Sequence, residues 1–186
     1  MMHAFFALGF IGFFLVYLVV KTLYFQKKYG VNPLAALHGN FQEKLLWISL
    51  PLIFIGYAIA IWMELWTQVW SVLGIVVGSC LMVLGFSFMV IAQFQMGRNW
   101  RMGVDSQGKI ELVDNGVFGF SRNPVYLGLL VQALGVTVAF LNLYTVLLWV
   151  LLFVVLFLIV LQEEKFLHKS FGKEYLRYSK RVGRFL

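Results

Sequence analysis

Two groups of charged residues stand beside long apolar runs, and they are the positions at which this chain could do chemistry. Arg122 lies in a glycine-rich polar passage, residues 112–128, and the pair Glu163-Glu164 directly follows an apolar run. Polar residues are scarce, because 61% of the sequence is hydrophobic and only 12% is charged. Acids near the C-terminal end of a helix are mildly unfavourable. The pair therefore has either a functional role or an ordinary one as solvated groups at a membrane surface.

The polar passage also contains a helix start signal. Asn is a preferred N-cap residue and Pro is preferred at the first helical position, so Asn123 and Pro124 predict a helix that begins at about residue 124. The passage then has two interpretations. It lines a polar site, or it only connects two helices and Arg122 serves as an interfacial anchor.

The composition indicates the class of protein that holds these residues. A chain of 186 residues has the length of one domain. Its mean hydropathy of +0.86, with 19 Phe and 6 Trp residues, exceeds what a soluble fold of this size tolerates. We predict an all-α integral membrane protein that forms a single membrane domain over residues 1–186. The first apolar run has no preceding basic segment and no cleavage pattern, which predicts a retained span rather than a signal peptide.

The apolar runs predict five transmembrane helices, at about residues 4–25, 45–66, 70–96, 124–141 and 143–162. Little more than Asn142 separates the last two spans, so they form a tight antiparallel hairpin. The largest polar loop, residues 97–123, contains a stretch at 101–113 that suits a small turn or hairpin on the membrane surface. The first three spans, 1–96, thus precede a core, 97–186, made of this loop, the helical hairpin and the tail.

The distribution of positive charge predicts the orientation. All fifteen Lys and Arg residues fall on one side of the five-span arrangement, in the first loop, the third loop and the tail. Because basic loops stay in the cytoplasm, we expect the N-terminus outside and the C-terminus and the polar passage on the cytoplasmic side of this multi-pass protein. Topology and anionic lipids then account for the net charge of +7, so no nucleic acid partner is expected.

The C-terminal tail has an amphipathic pattern. Apolar and aromatic residues recur at helical spacing, namely Phe166, Leu167, Phe171, Tyr175, Tyr178 and Val182. Cations recur at steps of four, namely Lys165, Lys169, Lys173 and Arg177. An anionic leaflet stabilises such a cationic stripe, so we predict a tail that lies along the cytoplasmic interface with its aromatic face toward the membrane. Gly172 divides the tail into two short helices in this interpretation.

Several other chemistries lack the residues that they need. His3, His38 and His168 are isolated and have no metal-ligand spacing with Cys80 or an acid pair, so no metal site is predicted. Cys80 is a single thiol inside an apolar span and predicts neither a disulfide nor a nucleophile.

The glycines predict packing rather than cofactor binding. No Gly-x-Gly-x-x-Gly follows a strand, so a Rossmann site is not expected. Gly74 and Gly78 form a small-x-x-x-small pair in the third span, and Gly85 lies one heptad beyond Gly78. This pattern indicates a close contact between helices.

Several motifs in the second half of the chain occur together in one family. They are Gly97-x-Asn99-Trp100, the run Leu112-Val113-x-x-Gly116-x-Phe118-x-x-x-Arg122-x-Pro124-x-Tyr126-x-Gly128, the pair Glu163-Glu164, and Phe171-Gly172-x-x-Tyr175-x-x-Tyr178. In this order they resemble the isoprenylcysteine carboxyl methyltransferase family, whose core is shared by the related phospholipid N-methyltransferases. The resemblance covers about residues 97–184. It implies a membrane enzyme that binds S-adenosylmethionine without a Rossmann domain and methylates a lipophilic or prenylated substrate.

The resemblance also implies roles for individual residues. Glu163 and Glu164 would hold the ribose hydroxyls or the ammonium group of the cofactor, since carboxylates are acceptors only. Arg122 would bind a carboxylate of cofactor or substrate through its bidentate fork. Tyr126 and Tyr178 would line the pocket and Arg184 would close it. The cofactor-binding set is completed by Gly116, Pro124 and Gly128, and the catalytic set is Arg122, Asn123 and Tyr126.

Asn123 departs from the family, which usually has His at this position. Asn cannot serve as a base near neutral pH, so the departure concerns a side-chain contact and not the fold. Carboxyl methylation is favoured, and transfer to nitrogen or sulfur stays open.

Two other functions stay open as well. One is a membrane sterol reductase with a nicotinamide cofactor, a group that shares an Arg-x-Pro-x-Tyr hairpin but has an acidic residue where this chain has Leu129. The other is a non-catalytic scaffold. The methyl acceptor and the oligomeric state are not predicted by the sequence.

Overall fold

The computed structural model describes residues 2–29, 41–67, 71–97 and 111–186. Its helices are α1 (Met2–Tyr29), α2 (Phe41–Thr67), α3 (Val72–Met96), a 3-10 turn (Gly116–Gly119), α4 (Pro124–Ala139), α5 (Leu143–Phe171) and α6 (Lys173–Arg181). No strand occurs within these ranges. The predicted all-α membrane fold is confirmed, and each of the five predicted spans corresponds to one helix. The surface turn predicted at 101–113 falls almost wholly outside the described residues.

The lengths of the apolar helices fit a bilayer. Within the described residues α2 (over Phe41–Met63), α3 and α5 are long and apolar enough to cross a bilayer, while α4 is a shorter apolar helix. From Leu143, the acids Glu163 and Glu164 lie about 30 Å along α5 at 1.5 Å per residue, which is the thickness of a hydrocarbon core. The acids and the α4–α5 turn are therefore about one hydrocarbon thickness apart along α5.

Glycines allow α3 and α4 to pack with their backbones in contact. A Cβ atom on Gly78 would meet the Gly135 carbonyl oxygen at 2.5 Å, and a Cβ atom on Gly128 would meet the Gly85 carbonyl oxygen at 2.7 Å. Only glycine fits at these crossings. The packing role predicted for Gly78 and Gly85 is confirmed, and it fixes the start of α4 against the end of α3.

The α4–α5 turn satisfies its backbone groups through side chains, as a turn between two apolar helices requires. Asn142 and Thr145 form a reciprocal capping box at the start of α5. The Thr145 hydroxyl also donates to the Phe140 carbonyl at 2.8 Å. From α2, the Tyr57 hydroxyl lies 3.1 Å from the Thr137 hydroxyl. The tight hairpin predicted around Asn142 is thereby confirmed.

The end of α5 differs from the sequence prediction. The helix continues through the acid pair to Phe171, and it stops at Gly172, whose φ of 52° lies in the left-handed region that favours glycine. The prediction that the span ends at about residue 162 is wrong for the helix, because residues 163–171 continue it beyond the apolar segment. The acids consequently lie inside a helix, so the unfavourable interaction that an acid has with a helix C-terminus does not apply to them.

Helix α6 turns its aromatic face toward the protein rather than toward a membrane. Tyr175, Tyr178 and Val182 are buried and pack with Leu112, Leu167 and Phe171. The predicted orientation of this face is therefore wrong for α6, because the loop before α4 and the end of α5 offer it an apolar partner. The predicted division of the tail at Gly172 is confirmed, although its first half continues α5.

Candidate functional site

The C-terminal segment, residues 182–186, folds back against the polar passage before α4. The backbone N–H of Arg122 donates to the Gly183 carbonyl at 3.0 Å. The Ser121 hydroxyl donates to the Arg184 carbonyl at 3.3 Å, and the Asn123 side chain donates to the same carbonyl at 3.0 Å. Three consecutive residues thus hold this segment, which brings the end of the chain to the start of α4.

Glu164 is the centre of the polar cluster that forms there. It is 8% exposed, and its carboxylate accepts hydrogen bonds on both oxygens. Oε1 accepts from Asn123 Nδ2 at 3.1 Å and lies 3.4 Å from Arg122. Oε2 accepts from Nε and Nη2 of Arg184 at 3.0 and 2.9 Å. Glu164 therefore joins the start of α4, the middle of α5 and the C-terminal segment.

Asn123 has a different role from the one that its sequence position suggests. It occupies the N-cap position of α4, but its side chain makes no capping hydrogen bond. The amide instead donates to Glu164 and to the Arg184 carbonyl, and the backbone N–H of Asn123 donates to the Ser121 hydroxyl oxygen at 3.1 Å. The capping prediction is wrong for the side chain, because the two hydrogen bonds that Nδ2 donates to Glu164 and to the Arg184 carbonyl fix the orientation of the amide, and in this orientation its oxygen accepts no N–H from the first turn of α4.

Glu163 lies one residue before this cluster and has a separate partner. Its Oε1 accepts a hydrogen bond from the Tyr126 hydroxyl at 2.5 Å. Among the described residues, this is the side-chain hydrogen bond found for Glu163, so the second oxygen of its carboxylate remains able to accept from a ligand. The two neighbouring acids thus differ: Glu164 is saturated by protein donors and Glu163 is not.

Helix α6 forms a wall of the cluster through two tyrosines. The Tyr178 hydroxyl donates to the Phe118 carbonyl at 2.7 Å and ties α6 to the 3-10 turn. Burial, the largest cause, raises the pKa of Tyr175 to about 12, and the negative charge of Glu164 adds to it. The positive charge of Arg122 and a hydrogen bond from its guanidinium group offset part of this rise. At neutral pH the Tyr175 hydroxyl is therefore a hydrogen-bond donor beside a guanidinium group.

The guanidinium group of Arg122 donates toward the Tyr175 hydroxyl oxygen, which lowers the pKa of Tyr175. Arg122 carries only donors, so it cannot accept the hydroxyl proton, and that proton has no acceptor within the described part of the chain. A buried hydroxyl proton without an acceptor is costly.

The structure brings together most of the residues that the sequence analysis selected. Seven lie in or against one polar cluster: Arg122, Asn123, Tyr126, Glu163, Glu164, Tyr178 and Arg184. Pro124 is the buried first residue of α4. Gly128 lies in the contact between α3 and α4, away from the acids. Gly116, with φ +58°, packs on Gln95. Their predicted cofactor contacts stay predictions.

Three residues that shape the site were not among the predicted site residues. The side-chain oxygen of Gln95 accepts a hydrogen bond from the backbone N–H of Val117 at 2.9 Å and so holds the 3-10 turn. No sequence pattern indicates this role of Gln95. Ser121 orders the backbone before α4. Tyr175 belongs to the motif Phe171-Gly172-x-x-Tyr175-x-x-Tyr178, and this motif could have indicated it as a site residue. No group of three potential metal ligands occurs among the residues that the structure describes.

The fold and the site define an all-helical membrane protein with a polar cluster at one end of a helical hairpin. Residues 73–174 match the phospholipid methyltransferase family, and the match covers more than half of the chain. The chain belongs to this family, which confirms the resemblance seen in the sequence.

A curated relative extends this assignment. The chain is 31% identical over 115 residues to the protein-S-isoprenylcysteine O-methyltransferase of Saccharomyces cerevisiae. The aligned part covers 58% of this chain and 46% of the yeast protein, so the chain spans about half the length of that relative.

Proposed function

We propose that this protein transfers a methyl group from S-adenosylmethionine to the carboxylate of a prenylated cysteine at the cytoplasmic face of a membrane. The observation that carries the proposal is the convergence of Arg122, Tyr126 and the acid pair at the end of the apolar α4–α5 hairpin. Family membership supports methyl transfer, and the name of the yeast relative supports the prenylated acceptor. Residues 97–186 are the proposed catalytic core.

The residues present fit S-adenosylmethionine. Its amino-acid group carries an ammonium and a carboxylate, and its ribose carries two hydroxyl donors. Glu163 retains acceptor capacity for an ammonium or a hydroxyl, and the guanidinium group of Arg122 would donate to a carboxylate. Glu164 is already saturated by Asn123 and the two arginines, so we assign it to holding the C-terminal segment rather than to direct contact with the cofactor.

The cluster suits a reaction that needs alignment more than acid–base catalysis. When bound, S-adenosylmethionine supplies a methyl group that its sulfonium already activates. A carboxylate oxygen forms the new bond to the methyl carbon while the bond from carbon to sulfur breaks, and no proton has to leave. Asn123 cannot act as a base and is not required to do so. The chain contributes proximity, orientation and exclusion of water at the end of the hairpin.

The location of the cluster accounts for a lipophilic acceptor. The acids lie about one hydrocarbon thickness along α5 from the α4–α5 turn, so a prenyl group would stay in the bilayer while its polar end reaches the site. The positive-inside rule assigns this end of the hairpin to the cytoplasm, where the cofactor is soluble. Anionic lipids would contact the basic tail.

Methylation of an amino lipid is the second candidate, and the family's description favours it. The relative is named a protein-S-isoprenylcysteine O-methyltransferase, and this name ranks transfer to a carboxylate oxygen first.

Calorimetry on the purified protein in detergent tests the proposal against the reductase and scaffold alternatives. Titration with S-adenosylhomocysteine should give saturable binding, and titration with a reduced nicotinamide nucleotide should not. Binding of the nicotinamide nucleotide alone would favour the reductase, and binding of neither would favour the scaffold. Each of these results would overturn the proposal.

A further inference from the structure

We propose that Gln95 is a positioning residue, which holds the 3-10 turn from the end of α3 and through this turn fixes the polar cluster around Glu164. The inference rests on the proposed function for the ligand used to measure it, S-adenosylhomocysteine. It goes beyond that function because it connects the cluster to α3, a helix that contributes none of the residues of the cluster.

The first contact joins α3 to the turn. Gln95 lies in the last turn of α3, and its side-chain oxygen accepts a hydrogen bond from the backbone N–H of Val117 at 2.9 Å. The first N–H groups of a helical turn have no acceptor inside it. Asn115, at the N-cap position, makes no side-chain capping hydrogen bond. Gln95 therefore supplies from another helix the acceptor that an N-cap residue usually supplies.

A run of hydrogen bonds continues from the turn to Glu164. The Val117 carbonyl accepts from the backbone N–H of Ser121 at 3.2 Å. The Ser121 hydroxyl oxygen accepts from the backbone N–H of Asn123 at 3.1 Å, and the Asn123 side chain donates to Glu164 Oε1 at 3.1 Å. Ser121 is 0% exposed, so water does not replace these contacts. A displacement of the turn therefore displaces Ser121 and, with it, the amide that donates to Glu164.

Gly116 allows the Gln95 amide to lie against the turn. Its φ of 58° lies in the left-handed region that favours glycine. A Cβ atom at this position would lie 2.5 Å from both Nε2 and Oε1 of Gln95. Glycine at position 116 is thus explained by the contact with Gln95, without a contact to the cofactor.

Helix α6 contacts the same turn. The Tyr178 hydroxyl donates to the Phe118 carbonyl at 2.7 Å, and this hydrogen bond is buried. The turn is thus held by α3 at the N–H of Val117 and by α6 at the carbonyl of the next residue. Loss of the Gln95 contact frees the start of the turn while its middle stays attached to α6. The expected effect is therefore a shift of the cluster and not unfolding.

Gln95→Leu and Gln95→Glu are the matched variants. Leucine has no acceptor, whereas glutamate keeps an oxygen that can accept from Val117. Calorimetry on the purified protein in detergent measures the affinity for S-adenosylhomocysteine, with thermal unfolding as the control for folding. Gln95→Leu should weaken binding by about fivefold, which corresponds to about 1 kcal/mol, and Gln95→Glu should bind within about twofold of wild type.

Gly116→Ala tests the contact from the side of the turn. The added Cβ atom displaces the Gln95 amide, whereas Gln95→Ala removes the atoms that this Cβ would meet. Gly116→Ala should therefore weaken binding more in the wild-type background than in the Gln95→Ala background, because the strain of alanine at positive φ is common to both. Equal losses in the two backgrounds would contradict the path through Gln95, since a direct cofactor contact of Gly116 gives that result.

Hydrogen exchange gives a second measurement that needs no ligand. The backbone amides of Ser121 and Asn123 should exchange faster in Gln95→Leu than in wild type, and at the wild-type rate in Gln95→Glu. If wild type binds S-adenosylhomocysteine and Gln95→Leu binds it equally well, the positioning role is overturned and the proposed function stands, whatever the exchange rates. If wild type does not bind it, the proposed function fails, and unchanged exchange in Gln95→Leu would overturn the positioning role as well.

Discussion

Replacement of Glu164 by Gln separates the two neighbouring acids, because the structure gives them different partners. Both carboxylate oxygens of Glu164 receive donors: Asn123 and Arg122 on Oε1, and Arg184 on Oε2. Glutamine has one oxygen and one NH₂ group. In either orientation of the amide, the NH₂ group must face donors, so Glu164→Gln loses one side of the cluster and its charge.

The expected cost follows from burial and from the number of interactions. A hydrogen bond to a charged group contributes about 1.5–3 kcal/mol. The Arg184 side chain is 34% exposed, so solvent screens part of its loss. We expect Glu164→Gln to lower the free energy of unfolding by about 2 kcal/mol, which corresponds to a decrease of about 4–8 °C in the unfolding temperature for a chain of this size.

Glu163→Gln is the matched comparison. The amide oxygen still accepts the hydrogen bond from Tyr126, so the unfolding temperature should stay within about 3 °C of wild type. Affinity for S-adenosylhomocysteine should fall about tenfold or more, because the carboxylate oxygen that can accept from the ligand is replaced by an NH₂ group, which only donates.

Thermal unfolding by circular dichroism and calorimetry on both variants measure these effects. An unchanged unfolding temperature for Glu164→Gln would refute its structural role. A folded Glu163→Gln variant with wild-type affinity would refute the assignment of Glu163 to the cofactor.

Three further predictions concern the rest of the molecule. Asn123→His should fold and bind S-adenosylhomocysteine within about tenfold of wild type, because imidazole still supplies one N–H donor to the cluster; complete loss of binding in calorimetry would contradict this. Gly135→Ala should lower the unfolding temperature by at least about 2–4 °C, because its Cβ would meet a backbone carbonyl of α3. Gly12→Ala is the control and should not lower it, because the space around Gly12 is open. Equal unfolding temperatures for the two variants would contradict the α3–α4 contact. A reporter fused after Leu186 should be cytoplasmic and one at Gln68 external, and the reverse labelling would exclude the five-span topology.

The elements that the sequence predicts well are those with a strong local signal. Apolar runs define the five helices, and Asn142, which caps α5 through Thr145, marks the tight turn. The spacing of the glycines in α3 predicts a close helix contact, but only the structure shows that their partners on α4 are Gly128 and Gly135.

Long-range contacts explain what the sequence does not predict. The local sequence predicts Asn123 as an N-cap, but its side chain donates a hydrogen bond to Glu164, which is 41 residues away in the sequence. The sequence predicts that the aromatic face of α6 contacts the membrane, whereas in the structure the loop before α4 covers this face. Gln95 has no local pattern at all, and its role depends on where the 3-10 turn packs.

Transfer of a labelled methyl group tests the central claim most directly. Purified protein in lipid nanodiscs is supplied with methyl-labelled S-adenosylmethionine and, in separate reactions, with farnesylcysteine or an amino phospholipid. The proposed function predicts label on farnesylcysteine that mild base releases as methanol, as a methyl ester does, and a much lower yield with Glu163→Gln. Base-stable label on the amino lipid, or no transfer to either acceptor, would contradict it.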